Sequence, residues 1–193
     1  KAHDPEWLRD RYALGDDGRD WSVAWAKDDV LSENGQNFRL QYRPFDFRWS
    51  YFTGQSKGFL AYPRKNLTEC LLSGNLALST MRQIAGVPDE CEVFVTAVPM
   101  TDRSMYSTLG TPYLFPLYVA EGNSGLFGRQ QDGLTRRPNL APSFLSALSS
   151  SLHTSQCATG LPADLTPEDI FQYTYAVFHS PTYRTRVSAL EHH

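Results

Sequence analysis

Residues Tyr42 to Phe52, reading Tyr-Arg-Pro-Phe-Asp-Phe-Arg-Trp-Ser-Tyr-Phe, restrict the fold more than any other part of the chain. Aromatic rings at positions 42, 45, 47, 49, 51 and 52 are interleaved with Arg43, Arg48 and Asp46, a density that solvated linkers do not reach. Pro44 fixes its own φ and removes a backbone donor, so the chain bends or bulges there. Two readings follow. In the first the stretch is a structural corner, with Asp46 paired to Arg43 or Arg48 and the rings entering a core. In the second it is a nucleic-acid surface, with guanidiniums for phosphate or guanine and rings for stacking.

The flanking pattern places this stretch on two strands. Asn34-Gly35 is a turn signal, after which Phe38, Leu40 and Tyr42 alternate with polar residues. Trp49 and Tyr51 continue as a second strand, and Arg43-Pro44-Phe45-Asp46 joins the two. Upstream, Asp4-Pro5-Glu6 starts a helix over residues 5–12, and a second helix runs from Asp20 to Leu31. Downstream, residues 53–58 form a polar loop with two glycines, followed by an apolar segment to Tyr62 and by Pro63-Arg64-Lys65. Residues 76–79 and 92–98 are β-type runs, the second reading as covered on both faces.

Residues 113–119 are too apolar for a surface, yet Pro116 removes a ladder bond, which predicts an edge or bulged strand. From Glu121 to Pro142 the composition turns to Gly, Asn, Gln, Arg and Pro, as in a long functional loop. A helix over 143–152 carries Phe144, Leu145 and Leu148 on one face. After a linker-like stretch, Thr166-Pro167-Glu168-Asp169 caps a helix over 170–179. That helix is expected to bury Ile170, Phe171, Tyr175, Val177 and Phe178, and Ser180-Pro181 stops it. The predicted class is α+β: a mixed, largely antiparallel twisted sheet with flanking helices, long polar loops and a C-terminal helix packed on the body.

A length of 193 residues suits one domain with a proper core. The expected division is 1–187, comprising a helical lead-in (1–31), a sheet-rich body (37–119), a long loop (120–142) and C-terminal helices (143–187). Leu190-Glu191-His192-His193 reads as the remnant of an expression tag, and Lys1 as the start of an excised domain. The net charge of −3 provides no global field toward DNA or an anionic membrane, so any nucleic-acid binding must use a local patch. Cys70, Cys91 and Cys157 have no metal-ligand spacing and read as reduced, buried thiols of a cytoplasmic protein. No run approaches the roughly eighteen apolar residues that span a bilayer.

Catalytic signatures are missing. There is no Walker triplet, no Asn-Pro-Pro-Tyr or Asp-Pro-Pro-Tyr of an amino-methyltransferase, no glycine-rich S-adenosylmethionine loop and no Gly-x-Ser-x-Gly elbow. Asp89, Glu90 and Glu92 cluster before a strand, where acids more often form a solvated loop than a metal site. His153 and His179 stand alone. Neither a metal site nor a catalytic residue is expected.

The Tyr42 to Phe52 motif, Tyr62-Pro63-Arg64, Val93-Phe94-Val95-Thr96, Phe115-Pro116-Leu117-Tyr118 and the run from Tyr173 to Arg186 together, in this order, resemble the C-terminal specificity region of type ISP restriction-modification enzymes. The resemblance spans residues 21–187. Tyr62 stands where an arginine is expected, and Val187 where an aromatic is expected. What the resemblance implies is a target-recognition domain that reads double-stranded DNA from the major groove. Its partner would be the adenine-N6 methyltransferase domain of the same polypeptide, and its site choice would license cleavage. The fragment would be monomeric and catalyse nothing, and S-adenosylmethionine, ATP and Mg²⁺ would serve the parent.

On that implication the recurring motifs are scaffold: Tyr42, Arg43, Pro44, Phe45, Asp46, Arg48, Trp49, Tyr175, His179, Pro181, Tyr183 and Arg184. DNA contacts fall to the polar loops, namely Gln55, Lys57, Arg64, Lys65, Arg82, Gln83, Asp102, Arg103, Ser104, Arg129, Gln130, Arg136 and Arg137. The competing function is a protein–protein docking module within a multidomain DNA-modifying enzyme, its aromatic corner meeting another domain.

Overall fold

A computed structural model describes residues 4–81, 92–105, 107–120 and 136–191, which form six helices and seven strands in three antiparallel sheets. Arg82, Gln83, Asp89, Glu90, Cys91, Arg129 and Gln130 lie outside the described residues. The α+β class is as expected, with the strands shared among three small sheets.

Local signals account for the first helices. In α1 (Pro5–Tyr12) the Asp4 carboxylate accepts the Glu6 N–H at 2.9 Å, and Pro5 takes the first helical position, where its missing N–H has no partner to lose. This helix buries no residue and leans on α2 (Val23–Leu31). There Ser22 accepts the Trp25 N–H at 3.1 Å, and Val23 and Ala26 enter the core.

Strands β1 (Gln36–Arg43) and β2 (Asp46–Phe52) form a hairpin with Arg43 opposite Asp46 and Pro44-Phe45 at the turn. Phe45 adopts φ 64°, the left-handed region that a non-glycine residue enters at a cost. Phe38, Ser50 and Phe52 are buried, whereas Arg39, Phe47 and Trp49 are exposed. The expectation that the rings enter a core holds for Phe52, while Tyr42 and Tyr51 are half-buried, and it is corrected for the other three: Phe45 is 82% exposed, Trp49 70% and Phe47 44%. A two-stranded ribbon offers the body one face, and period-two alternation sends the other set outward.

No element was expected directly after Lys65, yet α3 (Lys65–Leu72) begins there. It lacks a side-chain cap, which removes the usual sequence signal. The Thr68 hydroxyl instead donates to the Pro63 carbonyl at 2.7 Å, and Thr68 and Leu71 are buried.

In the three-stranded sheet, β3 (Ala77–Thr80) lies between β4 (Val93–Thr96) and β5 (Tyr113–Pro116). Pro116 sits on an edge strand, as anticipated. Val95 is 38% exposed, so β4 is not covered on both faces. Strand β6 (Tyr118–Ala120) pairs with β7 (Arg136–Pro138), which places Arg136 and Arg137 on a strand rather than in the expected loop.

Helix α4 (Pro142–Leu152) packs Leu145 against Leu161 and against Ile170 of α5 (Pro167–His179). Phe144 stays 44% exposed, and on α5 Ile170 is buried while Phe171, Tyr175, Val177 and Phe178 are partly so. The capping box is present: Thr166 Oγ1 accepts the Asp169 N–H at 3.1 Å and Asp169 accepts the Thr166 N–H at 2.9 Å. Pro181 both closes α5 and opens α6 (Pro181–Glu191). Helix α5 meets β4, where His179 Nε2 donates to the Val93 carbonyl at 3.1 Å.

Candidate nucleic-acid interface

The hairpin organises a second segment lying along β1. The Gln41 N–H donates to the Pro99 carbonyl at 2.9 Å, and the Thr101 N–H donates to the Gln41 carbonyl at 3.1 Å. The Thr101 hydroxyl donates to the Tyr42 carbonyl at 3.0 Å, and the Arg43 guanidinium donates to the Arg103 carbonyl. These bonds fix the backbone of residues 99–103 and leave the side chains of Asp102 and Arg103 exposed. Ser104 is 1% exposed and its hydroxyl has no partner among the described residues; it is too deep to present a donor to a base edge, so it leaves the candidate readout set.

Across from this segment, Tyr62, Pro63 and Arg64 line the same cleft of about 520 Å³ as Met100, Thr101 and Asp102. Arg64 is exposed and holds φ 44°, immediately before α3. Lys57, also exposed, holds φ 59°. Left-handed backbone costs a non-glycine residue roughly 1–2 kcal/mol, and residues held in that way cluster at functional sites.

Loop 53–59, which carries Gln55 and Lys57, is tied to α2. Asp29 accepts the Phe59 N–H at 2.7 Å and the Thr53 hydroxyl at 3.0 Å, and Trp21 Nε1 donates to the Phe59 carbonyl at 3.1 Å. Lys57 Nζ stands 5.4 Å from the centroid of the Trp25 ring. Gln55 is exposed, and its N–H donates to Thr53 Oγ1 at 3.3 Å. The Lys65 stem lies against Gly54, where an added Cβ would stand 3.2 Å from Lys65 Cε. Gln55, Lys57, Arg64, Lys65, Asp102 and Arg103 thus sit on neighbouring segments anchored to α2, α3 and the hairpin.

Arg136 and Arg137 sit elsewhere. On β7, Arg136 Cζ is 4.4 Å from the centroid of the Tyr118 ring, and its Nη1 donates to the Gly74 carbonyl at 3.4 Å. Tyr118 donates its hydroxyl to Glu168 at 2.7 Å, and burial, then this bond and the Glu168 charge, push the Tyr118 hydroxyl up to about 12.

The motif residues divide into two junctions. At the hairpin tip Asp46 pairs with Arg48 at 2.9 Å rather than with Arg43. The Tyr42 ring has Arg48 Cζ at 3.8 Å and Arg43 Cζ at 4.6 Å. At the α5–α6 junction, Arg184 Nε donates to the Phe178 carbonyl at 3.0 Å and its Nη2 stands 3.4 Å from His179 Nδ1. The Tyr175 and His179 rings lie 4.5 Å apart, and Tyr183 meets Phe178 edge-on.

Sequence reasoning passed over Arg39. It is exposed, directly opposite Trp49 in the ladder, with its Cζ 5.5 Å from the Trp49 ring centroid and 5.9 Å from that of Phe47. Strand alternation alone placed it outward beside Phe47 and Trp49, which is the signal that was available.

Among the described residues no three His, Cys, Asp or Glu side chains are grouped to hold a metal ion, and no helix is long and apolar enough to cross a membrane. The expected burial of the thiols is corrected, since Cys70 is only half-buried and Cys157 is exposed. Exposed polar and basic side chains on segments braced by a hairpin suit a recognition surface. The chain belongs to the type ISP C-terminal specificity domain family, whose family model matches residues 2–189. Its role is therefore target recognition on DNA within a multidomain restriction-modification enzyme. No curated protein and no solved structure matches the chain.

Proposed function

We propose that this domain selects the duplex site at which the methyltransferase domain of its own polypeptide modifies adenine at N6, and that the same choice licenses cleavage. The chain itself makes and breaks no bond on this reading, and it acts as a monomeric unit of a cytoplasmic enzyme. S-adenosylmethionine, ATP and Mg²⁺ serve other parts of that enzyme, and no step of recognition runs through them here.

The supporting observation is the cleft that Arg64 and Asp102 share. A guanidinium is matched to guanine O6 and N7, and a carboxylate accepts from cytosine N4, so the pair is chemically complementary to G·C edges in the major groove. Each good contact of this kind discriminates by about 1–3 kcal/mol, so two or three such contacts are enough to choose a site. Arg103, exposed beside Asp102, extends the same surface. With a net charge of −3, much of the phosphate attraction must come from local basic surfaces or from the adjoining domain.

The test is to sequence methylated adenines in a host that expresses the parent gene with Arg64→Gln or Arg103→Ala. Site choice should relax or disappear while S-adenosylmethionine binding stays intact. Methylation of the same site, unchanged in both variants, would show that these side chains do not read it.

A further inference from the structure

We infer that the outward face of the β1–β2 hairpin, centred on Arg39 between Phe47 and Trp49, is a sequence-independent clamp for the DNA sugar-phosphate backbone. It is distinct from the cleft at Arg64 and Asp102, and it rests on the reading that this domain engages duplex DNA.

Three observations carry it. First, the Arg39 guanidinium lies 5.5 and 5.9 Å from the Trp49 and Phe47 ring centroids and, among the described residues, forms no ion pair or side-chain hydrogen bond, so its side-chain N–H groups remain available to an incoming acceptor. The two rings also restrict the space open to the side chain, which reduces the rotamer freedom lost on contact. Second, residues 36–52 contain Arg39, Arg43 and Arg48 against one acid, Asp46, which is already paired to Arg48. That local excess of positive charge sits on a chain whose net charge is −3, and it matches a polyanion. Third, Phe47 and Trp49, the two rings beside Arg39, are both exposed, so their faces are open to a ligand that also reaches the cation.

The occupant follows from the cation. An apolar protein face covering Phe47 and Trp49 would also strand an unpaired guanidinium, a strongly unfavourable burial. A phosphodiester satisfies the N–H groups while its sugars pack on the rings, and such contacts fix register without reading sequence.

The experiment incubates the 193-residue chain with a random duplex library and measures affinity by anisotropy from 50 to 200 mM salt, then sequences the bound fraction. Arg39→Gln should weaken binding to every duplex by roughly tenfold and reduce the salt slope by about 0.9, with sequence enrichment unchanged. Arg39→Lys should keep the slope while binding somewhat more weakly, and Trp49→Ala should bind more weakly with the slope retained. The exposure of these positions leaves the fold intact, which thermal melting verifies. Unaltered affinity and slope in Arg39→Gln would assign this face to a protein and overturn the clamp. Altered enrichment would make Arg39 a reader and also overturn it. Failure of the unmodified chain to bind any duplex would overturn the clamp, whereas salt-dependent binding that Arg39→Gln weakens but that enriches no sequence would keep the clamp and count against the recognition reading alone.

Discussion

Asp29 accepts the backbone N–H of Phe59 at 2.7 Å, joining a helix to a loop 30 residues further along the chain. The same carboxylate accepts the Thr53 hydroxyl, so one side chain closes both ends of loop 53–59. The positions of Gln55 and Lys57 depend on it. Asp29→Ala should destabilise the domain by about 1–3 kcal/mol in urea unfolding, because the Phe59 N–H loses its charged acceptor. Loop 54–58 should also become the first site of limited proteolysis. Gly58→Ala should act in the same direction, since its Cβ would stand 2.2 Å from Asp29 Oδ2. Wild-type unfolding in both variants would dismiss the staple.

Arg64 separates stability from function. Its φ of 44° is strained for arginine and free for glycine, and it occupies the N-cap position of α3, where glycine is also favoured. Relief of the left-handed strain outweighs the freedom that glycine adds to the unfolded chain, so Arg64→Gly should be as stable as wild type or more stable by up to about 1 kcal/mol in denaturant unfolding, while site selection is lost. A marked loss of stability would mean that the side chain holds the fold rather than reading DNA.

Phe45 combines a strained backbone with an edge-on contact to Phe94, the ring centroids being 6.0 Å apart. Ring contacts of this kind contribute about 0.5–1.5 kcal/mol and left-handed backbone costs a similar amount. Phe45→Gly should thus lie within about 1 kcal/mol of wild type, and Phe45→Ala should be less stable than either. Equal stability for the glycine and alanine variants would remove the strain argument.

The capping box of α5 predicts an acid signature. Hydrogen bonds from the Thr166 hydroxyl and N–H hold the Asp169 carboxyl below its ordinary range. A depressed carboxyl contributes stability that is present above its unfolded pKa and is lost as pH falls through the folded value. Thr166→Ala should cost about 1 kcal/mol near neutrality and should lose less than wild type on acidification to about pH 3. Denaturant melts at the two pH values decide it.

At the other end of the scale, the Tyr118 hydroxyl is pushed up to about 12 by burial and by Glu168. A raised group contributes stability that is present below its unfolded pKa, near 10, and is lost as pH climbs through the folded value. Tyr118→Phe should cost about 1 kcal/mol at neutral pH and flatten the decline in stability between about pH 10 and 12. An identical alkaline decline in the variant would assign it to another group.

Much of the architecture was legible because its causes are local. Asp4-Pro5 starting α1, the box from Thr166 to Asp169, and Pro116 on an edge strand each act within a few residues of the chain. The candidate site was less legible. Asp102, Arg103 and Ser104 look alike in sequence, yet Ser104 is buried, because bonds from Gln41, Tyr42 and Arg43, some 60 residues away, set which way that backbone faces. Helix α3 escaped notice for a related reason, since its start is secured by Thr68 reaching back to Pro63 rather than by a capping residue.

Pro44 and the period-two alternation around it are enough to place a bend between two strands within Tyr42 to Phe52. Which rings of this stretch are inside depends on long-range packing. One face of the ribbon is covered by the body and buries Phe38 and Phe52, while the other leaves Phe47 and Trp49 in the open around Arg39. Alternation sorts side chains into two sets, but the choice of the buried set belongs to the surface that the rest of the chain brings against them.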